Sequence, residues 1–226
     1  MRKQILSNFH KEALKAIGNS ELSQYFLWSG GTALAYKYLQ HRESYDLDFM
    51  SYDLLPDDYL LTQIKGIADN LSIKKIKELK KFNRHEFWIT KNNKELKLEF
   101  VFYPFQSIKK PKKDKEFNVN IDSIEDILTN KIHTAFERSE PKDIFDLYFI
   151  LTTTKIKFLL AIKWVEKKFG TEIDPVLLIS KILEGVDLLG EIKPLMFQKK
   201  CYNTKQIKSF FNQIANQYLK IKIPIK

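Results

Sequence analysis

The strongest constraint on the fold of this chain comes from residues 25–50, where two short apolar runs flank a pair of glycines. Residues 25–28 have the length and apolar character of a short buried strand, and residues 32–39 have helical periodicity. Gly30-Gly31 separates them, and residues 47–50 form a second predicted strand. The segment therefore predicts a strand, a glycine turn, a helix and another strand in succession, which requires a fold that combines helices with a sheet.

Two carboxylates stand at the start of the second predicted strand. Asp46 and Asp48 are two residues apart, so both side chains leave one face of the strand, while Leu47 leaves the other. Carboxylates this close repel each other, and a divalent cation between them removes the repulsion; Mg²⁺ prefers such hard oxygen ligands. An exposed acidic strand end would show the same spacing.

The glycine turn adds a second kind of binding chemistry. Free backbone N–H groups at the start of a helix beginning at Thr32 would attract an anion. Because Gly30 and Gly31 have no Cβ, a phosphate could approach the backbone closely. A phosphate cradle on one turn and a carboxylate pair on the next strand together predict a site for a nucleotide and Mg²⁺.

These residues also carry a resemblance to a known family, the nucleotidyltransferase toxins of the AbiEii/AbiGii type, which belong to the DNA polymerase β-like nucleotidyltransferase superfamily. The motifs occur in order within residues 25–150. They are Gly30-Gly31-Thr32-Ala33-Leu34 with Arg42-x-Ser44-x-Asp46-Leu47-Asp48-Phe49, then Ile127-Leu128-x-x-Lys131 with Arg138, and then Lys142-Asp143-x-x-Asp146-Leu147-Tyr148.

The resemblance implies transfer of a nucleoside monophosphate from a nucleoside triphosphate (NTP) to an acceptor hydroxyl, with Mg²⁺ or Mn²⁺ as cofactor. Asp46 and Asp48 would bind the metal and take part in catalysis. Glu99 would supply the superfamily's third metal-binding carboxylate, because strand alternation places it opposite the core face of residues 96–100. A plain surface glutamate is the alternative at that position.

The resemblance further assigns nucleotide contacts to the glycine turn and to basic and hydroxyl side chains, namely Gly30, Gly31, Thr32, Arg42, Ser44 and Arg138. The hydroxyl for a phosphate would come from Thr32 or from Ser29. Arg42 and Ser44 could instead brace the turn before the carboxylates.

The downstream motifs would complete the catalytic set. Lys131 would contact the triphosphate or the developing charge, and either Asp143 or Asp146 would orient it. A spacing of seven places Lys131 and Arg138 on one helix face, and a spacing of three does the same for the two aspartates. Two amphipathic helices with a surface pair between Lys142 and Asp146 would show the same pattern.

The charge balance favours a polyanionic acceptor. The chain carries 38 Lys and Arg against 28 Asp and Glu, a net charge of +10, with +9 in residues 74–115 and +8 in residues 192–226. The resemblance implies a type IV toxin, or phage-defence protein, that modifies RNA such as the 3′ end of tRNA and has a cognate antitoxin. Trp88, Phe87 and Phe82 in the basic segment would either stack on RNA bases or belong to the core.

Two alternatives stay open: a nucleotidyltransferase that modifies a small molecule, as antibiotic-adenylating enzymes do, and a non-catalytic member of the fold that binds RNA or a protein. Cys201 is the one cysteine, which excludes an intramolecular disulfide framework. The four histidines have no metal-ligand spacing, so we expect them to be structural or exposed. The sequence shows no signal peptide or apolar span, so we expect a cytoplasmic protein without membrane contact.

The predicted fold class is α+β: a nucleotidyltransferase-type mixed sheet with flanking helices, followed by a helical C-terminal half. Residues 1–120 would form the catalytic core and residues 121–226 a helical domain that completes the active site. Further predicted strands lie at 73–79, 85–90 and 95–103, the last two joined by a hairpin turn at 91–94. Predicted helices lie at 4–17, 57–70, 123–137, 141–151, 156–168, 175–189 and 204–219.

Overall fold

The computed structural model describes residues 5–197 and 203–222, so Cys201 and part of the basic C-terminal segment lie outside the described residues. The chain divides into two compact units, Met1–Ser123 and Ile124–Lys226. None of the helices in the described part of the chain combines the length and the apolar character that crossing a bilayer requires.

The described part of the first unit is built on a mixed sheet of seven strands, numbered in chain order, which lie side by side in the order β3-β4-β5-β2-β1-β7-β6. Strand β1 pairs in parallel with β7, and β2 with β5, whereas the other neighbours are antiparallel. The strands are β1 Leu27–Ser29, β2 Leu47–Ser51, β3 Lys75–Lys81, β4 Arg84–Lys91, β5 Lys94–Phe102, β6 Lys112–Lys113 and β7 Asn120–Ile121. The helices of this unit are α1 Asn8–Gly18, α2 Gly30–Ala33 and α3 Asp57–Asn70.

Strand alternation gives the sheet one apolar and one polar face. Phe49 of β2 and Phe100 of β5 leave the same face and stack with ring centroids 5.1 Å apart. Leu60, Ile64 and Ile67, spaced three and four along α3, join them in one buried cluster. The opposite face of the same strands therefore carries the polar side chains, including those of the predicted metal site.

The hairpin between β4 and β5 confirms the turn predicted at residues 91–94. Lys91 pairs with Lys94, and Asn92 and Asn93 have φ values of 51° and 58°. Two consecutive residues in this left-handed region form a type I′ turn, whose twist suits a two-residue hairpin.

The predicted boundaries around the glycine turn were wrong by about two residues. Strand β1 begins at Leu27 rather than at residue 25, because a 3-10 helix over Glu21–Gln24 occupies the preceding residues. Helix α2 begins at Gly30, and the chain continues as a π-helix over Leu34–Leu39. Strands β6 and β7 were missed, since two residues are too few for an alternating pattern.

The second unit is helical, as predicted. Its helices are α4 Ile124–Glu137, α5 Pro141–Thr154, α6 Phe158–Phe169, α7 Pro175–Asp187 and α8 Thr204–Lys222, with a 3-10 helix at Leu189–Leu195. Lys155 and Gly170 end α5 and α6 in the left-handed conformation. A buried ion pair between Lys168 and Asp126, 2.9 Å apart, ties α6 to α4. Together the two units confirm the α+β class.

Candidate active site

Asp48 lies directly against the backbone of the glycine turn. In the antiparallel pair of β1 and β2, Ser29 is opposite Asp48, and Gly30 follows with a φ of +75°. A Cβ at Gly30 would lie 2.0 Å from Oδ2 of Asp48. Only glycine fits this position, because any side chain would be strained in the left-handed conformation and would also collide with the carboxylate.

The loop before β2 folds back over the second glycine. A Cβ at Gly31 would lie 2.5 Å from Nη2 of Arg42 and 3.1 Å from Oγ of Ser44. Thr32 donates a hydrogen bond of 2.8 Å to the hydroxyl of Ser44, and Arg42 donates one of 2.9 Å to the carbonyl of Glu43. The structure thus brings the predicted nucleotide-binding residues of the first unit together around one turn.

The end of β1 is held by a buried hydrogen bond that the sequence does not reveal. Ser29 donates to Oδ2 of Asp122 over 2.8 Å, and both side chains are buried. Tyr38 donates to the carbonyl of Asp122 over 2.7 Å, and the backbone N–H of Asp122 donates to the carbonyl of Trp28. The hydroxyls of Ser29 and Thr32, the two predicted phosphate donors, therefore both donate to protein oxygens in this structure.

Glu99 is the cross-strand neighbour of Asp48, as its assignment requires. The two residues pair in the parallel ladder of β2 and β5. Both oxygens of Glu99 are engaged: Oε1 lies 2.9 Å from Arg84, and Oε2 accepts from Lys97 over 2.7 Å. Burial alone would lower the pKa of Lys97, but its hydrogen bonds to Glu99 and Glu86 outweigh burial and raise it.

A divalent cation fits this donor set as a partner of the nucleotide. Asp46 comes directly before β2, on the face from which Asp48 projects. No three His, Cys, Asp or Glu side chains of the described residues converge closely enough to enclose a metal by themselves. Mg²⁺ is commonly held by one or two carboxylates, with phosphate and water oxygens filling its other positions. The carboxylate of Asp48, which lies against the predicted phosphate site at the glycine turn, suits that mode of binding.

His10 holds the backbone beside Asp46, a role that its sequence position does not indicate. Its Nε2 donates to the carbonyl of Tyr45 over 2.8 Å, so Nδ1 accepts from the hydroxyl of Ser7 over 2.6 Å. Burial lowers the pKa of His10, and the bond to Tyr45 and the charge of Asp46 offset this only in part. A neutral His10 on α1 therefore fixes the loop that leads to the carboxylates.

Helices α4 and α5 bring the four predicted downstream residues into one ion-pair cluster. Nζ of Lys131 lies 2.5 Å from Asp143 and 2.9 Å from Asp146, and Arg138 donates to Asp143 over 3.1 Å. The aspartate side chains are 3% and 0% exposed, and that of Lys131 is 13% exposed. Lys142, the alternative partner, instead lies 4.0 Å from Glu140.

Electrostatics keep Asp143 charged. Burial would raise the pKa of Asp143, but the charge of Lys131 and the hydrogen bond from it prevail and lower that pKa. Asp143 and Asp146, which leave one helix face, together direct the ammonium group of Lys131. Such a fixed cation is suited to binding an oxyanion.

Comparison with known proteins gives one family and a shared fold. The model of the family described as "Nucleotidyl transferase AbiEii toxin, Type IV TA system" matches residues 12–188. An uncharacterised protein of Aquifex aeolicus (strain VF5) is 25% identical over 219 residues, which cover 97% of this chain and 99% of that protein.

Two crystal structures from Helicobacter pylori have the same fold. JHP933 is 18% identical with a TM-score of 0.57, covering 94% of this chain and 91% of its own. A protein assigned as a nucleotidyltransferase is 22% identical with a TM-score of 0.59, covering 96% of this chain and 99% of its own.

Proposed function

The chain belongs to the AbiEii family of nucleotidyltransferase toxins of type IV toxin–antitoxin systems, and from that premise we propose that it transfers a nucleoside monophosphate to the 3′ hydroxyl of an RNA, with tRNA as the acceptor. The acceptor oxygen forms a bond to the α-phosphorus of an NTP. The bond between that phosphorus and the pyrophosphate oxygen breaks, and the hydroxyl proton is released to water.

The contact of Asp48 with Gly30 is the observation that carries this proposal. The carboxylate of Asp48 lies against the backbone of Gly30, so a phosphate bound at the glycine turn would be close to this carboxylate. Two anions repel each other at that distance, and a divalent cation bound to both removes the repulsion. The arrangement therefore suits an NTP that arrives with its metal.

In the first unit, each residue around the turn has a distinct proposed role. The backbone N–H groups of Gly30 and Gly31 bind phosphate oxygens, and Arg42 and Ser44 position the nucleotide beside them. Asp46 and Asp48 would hold Mg²⁺, and Glu99 would join them once Arg84 and Lys97 release it. Bound Mg²⁺ supplies charge neutralisation at the α-phosphate and the leaving pyrophosphate.

In the helical unit, we assign Lys131 to the triphosphate. Asp143 and Asp146 fix the direction of its ammonium group, so that it binds a phosphate oxygen without reorganising. Arg138 neutralises the second oxygen of Asp143 and adds positive charge at a more exposed position, since its side chain is 59% exposed.

The RNA acceptor is supported by the charge of residues 74–115, which carry a net +9. Contacts to phosphates make nucleic-acid binding fall steeply with salt, so transfer to tRNA should fall steeply too. Activity on a small acceptor would change little with salt. A cognate antitoxin and a cytoplasmic site of action follow from the same proposal.

The direct test is incubation of the purified chain with each labelled NTP, Mg²⁺ or Mn²⁺, and total RNA, followed by a denaturing gel. We expect one labelled tRNA band that disappears with EDTA. Asp48→Asn should lower transfer by at least about 100-fold, because the metal loses a charged ligand. Asp58→Asn, an exposed aspartate in the first turn of α3, is the matched control and should keep full activity. Transfer that survives EDTA or Asp48→Asn would overturn the mechanism.

A further inference from the structure

Strands β3, β4 and β5 present a basic surface on the same face of the sheet as Asp48. Lys75, Lys77 and Lys81 lie on this face of β3, with Leu79 between the last two, and all three lysines are exposed. None of the three pairs with a carboxylate within the part of the chain that the structure describes. Cations without acidic partners on one strand form a row that a polyanion would neutralise.

Trp88 stands in the middle of this surface. On β4 it is opposite Lys77 of β3 on one side and Lys97 of β5 on the other. The ammonium groups of these lysines lie 5.1 and 5.7 Å from the centroid of the indole ring. The neighbouring Phe87 points the other way and is fully buried. Of the three aromatic residues predicted in this segment, Phe87 therefore belongs to the core, Phe82 is exposed between β3 and β4, and Trp88 lies on the polar face.

The register of the sheet leads from Trp88 to the proposed metal site. Trp88 is opposite Lys97, and Leu98, the next residue of β5, pairs with Leu47 of β2. Asp46, directly before Leu47, thus continues the row that contains Trp88 and Lys97. Neighbouring strands lie about 4.8 Å apart, so two strand steps place the Trp88 backbone roughly 10 Å from that of Asp46. A few nucleotides of single-stranded RNA cover that distance.

We propose that this face binds the single-stranded 3′ end of the RNA acceptor, with a base stacked on Trp88 and the phosphates on Lys77 and its β3 neighbours. The inference rests on the proposed transfer to RNA and adds the surface that holds the acceptor. Stacking on an aromatic ring beside cations is how proteins bind single strands of varied sequence. Lys97 is engaged by Glu86 and Glu99, so Lys77 is the main phosphate contact beside the ring.

The test uses the full chain and a short single-stranded RNA with a free 3′ hydroxyl. Binding is followed by the fluorescence anisotropy of a dye on the 5′ end of the RNA, because Trp28, Trp88 and Trp164 all contribute to the intrinsic fluorescence and the Trp88 variants lose the proposed reporter. Trp88→Ala should weaken binding by roughly 5-fold to 150-fold, whereas Trp88→Phe should retain most of the affinity. Lys77→Ala should lower the slope of log affinity against log salt by about one. Lys65→Ala is the control, because Lys65 is an exposed lysine on α3, which packs against the opposite face of the sheet, and it should leave the slope unchanged.

Kinetics separate this inference from the proposed reaction. With the proposed function correct, Trp88→Ala should raise the KM for tRNA and leave the KM for NTP unchanged. If the wild-type chain transfers nothing to RNA but Trp88→Ala and Lys77→Ala still weaken binding of the oligonucleotide, the surface assignment is supported and the proposed reaction is wrong. If Trp88→Ala and Lys77→Ala bind RNA as the wild type does, the surface assignment is wrong, whatever the enzyme transfers.

Discussion

Asp48 occupies the space that a side chain on Gly30 would need, with its Oδ2 2.0 Å from the place of a Cβ. The two residues are brought together by the antiparallel pairing of β1 and β2, in which Asp48 is opposite Ser29. The proposed phosphate cradle and Asp48, a proposed ligand of the metal, are thus one structural unit. A substitution at Gly30 should therefore displace Asp48, and a substitution at Asp48 should alter the packing at Gly30.

Gly30→Ala should abolish nucleotide transfer and lower the free energy of unfolding by roughly 1–3 kcal/mol, because the new Cβ is strained at a φ of +75° and displaces Asp48. Gly66→Ala is the control. Its Cβ would meet nothing within 4 Å, and α3 should gain up to about 1 kcal/mol in helix propensity. Urea denaturation and the transfer assay measure both effects. An active, fully stable Gly30→Ala variant would contradict the geometry.

The sequence predicted elements well where local chemistry decides them. Helix α3 spans residues 57–70 as predicted, since Asp57 and Asp58 favour its first turn and the apolar spacing continues to its end. The hairpin turn at Asn92-Asn93 was likewise predicted from its own residues. The π-helical stretch Leu34–Leu39 has no comparable signal, because its hydrogen-bond pattern does not follow from the spacing of its apolar residues.

In the candidate site, too, local spacing predicted some features and left others unpredicted. Spacing on two helices placed Lys131 and Arg138 on one face and two aspartates on another, but only the family resemblance predicted that one of the aspartates orients Lys131. The contact of His10 with the carbonyl of Tyr45 joins residues 35 apart through a backbone atom, and any residue type at position 45 could make it. Such contacts depend on how elements pack, so neither periodicity nor motif spacing reveals them.

His10→Ala should raise the KM for NTP and lower stability by roughly 1–3 kcal/mol, because the carbonyl of Tyr45 loses its donor and the loop before Asp46 loosens. Ser7→Ala removes the partner of Nδ1 and also the N-cap hydrogen bond from the backbone N–H of His10, so it should lower stability but change the KM for NTP less than His10→Ala does. Steady-state kinetics and thermal unfolding of both variants provide the measurement. Unchanged NTP kinetics in His10→Ala would show that the loop is held by other contacts.

Asp143 should make the fold sensitive to acid. Its pKa in the folded chain is lowered from 3.8, so its stabilising contribution is complete above about pH 4 and is lost as pH falls through the lowered value. Thermal unfolding from neutral pH to pH 3 should therefore show a steeper acid limb for the wild type than for Asp143→Asn. Equal acid limbs would mean that the Lys131 cluster does not stabilise ionised Asp143.

Two ion pairs of the helical unit have similar lengths and opposite exposure. Lys168 and Asp126 lie 2.9 Å apart with side chains 3% and 0% exposed, whereas Lys208 and Asp187 lie 2.8 Å apart with 44% and 62% exposed. Breaking the buried pair with Lys168→Met or Asp126→Ala should cost about 3–5 kcal/mol, because one desolvated charge loses its partner. The double variant should cost much less than the sum.

The exposed pair provides the matched double-mutant cycle. Lys208→Met and Asp187→Ala should show a coupling energy below about 1 kcal/mol, since water and salt screen charges at the surface. Urea denaturation of all six variants gives both coupling energies under one condition. Raising the salt concentration should reduce the exposed coupling and leave the buried one nearly unchanged. Equal coupling energies in the two cycles would show that burial does not set the strength of the Lys168–Asp126 pair.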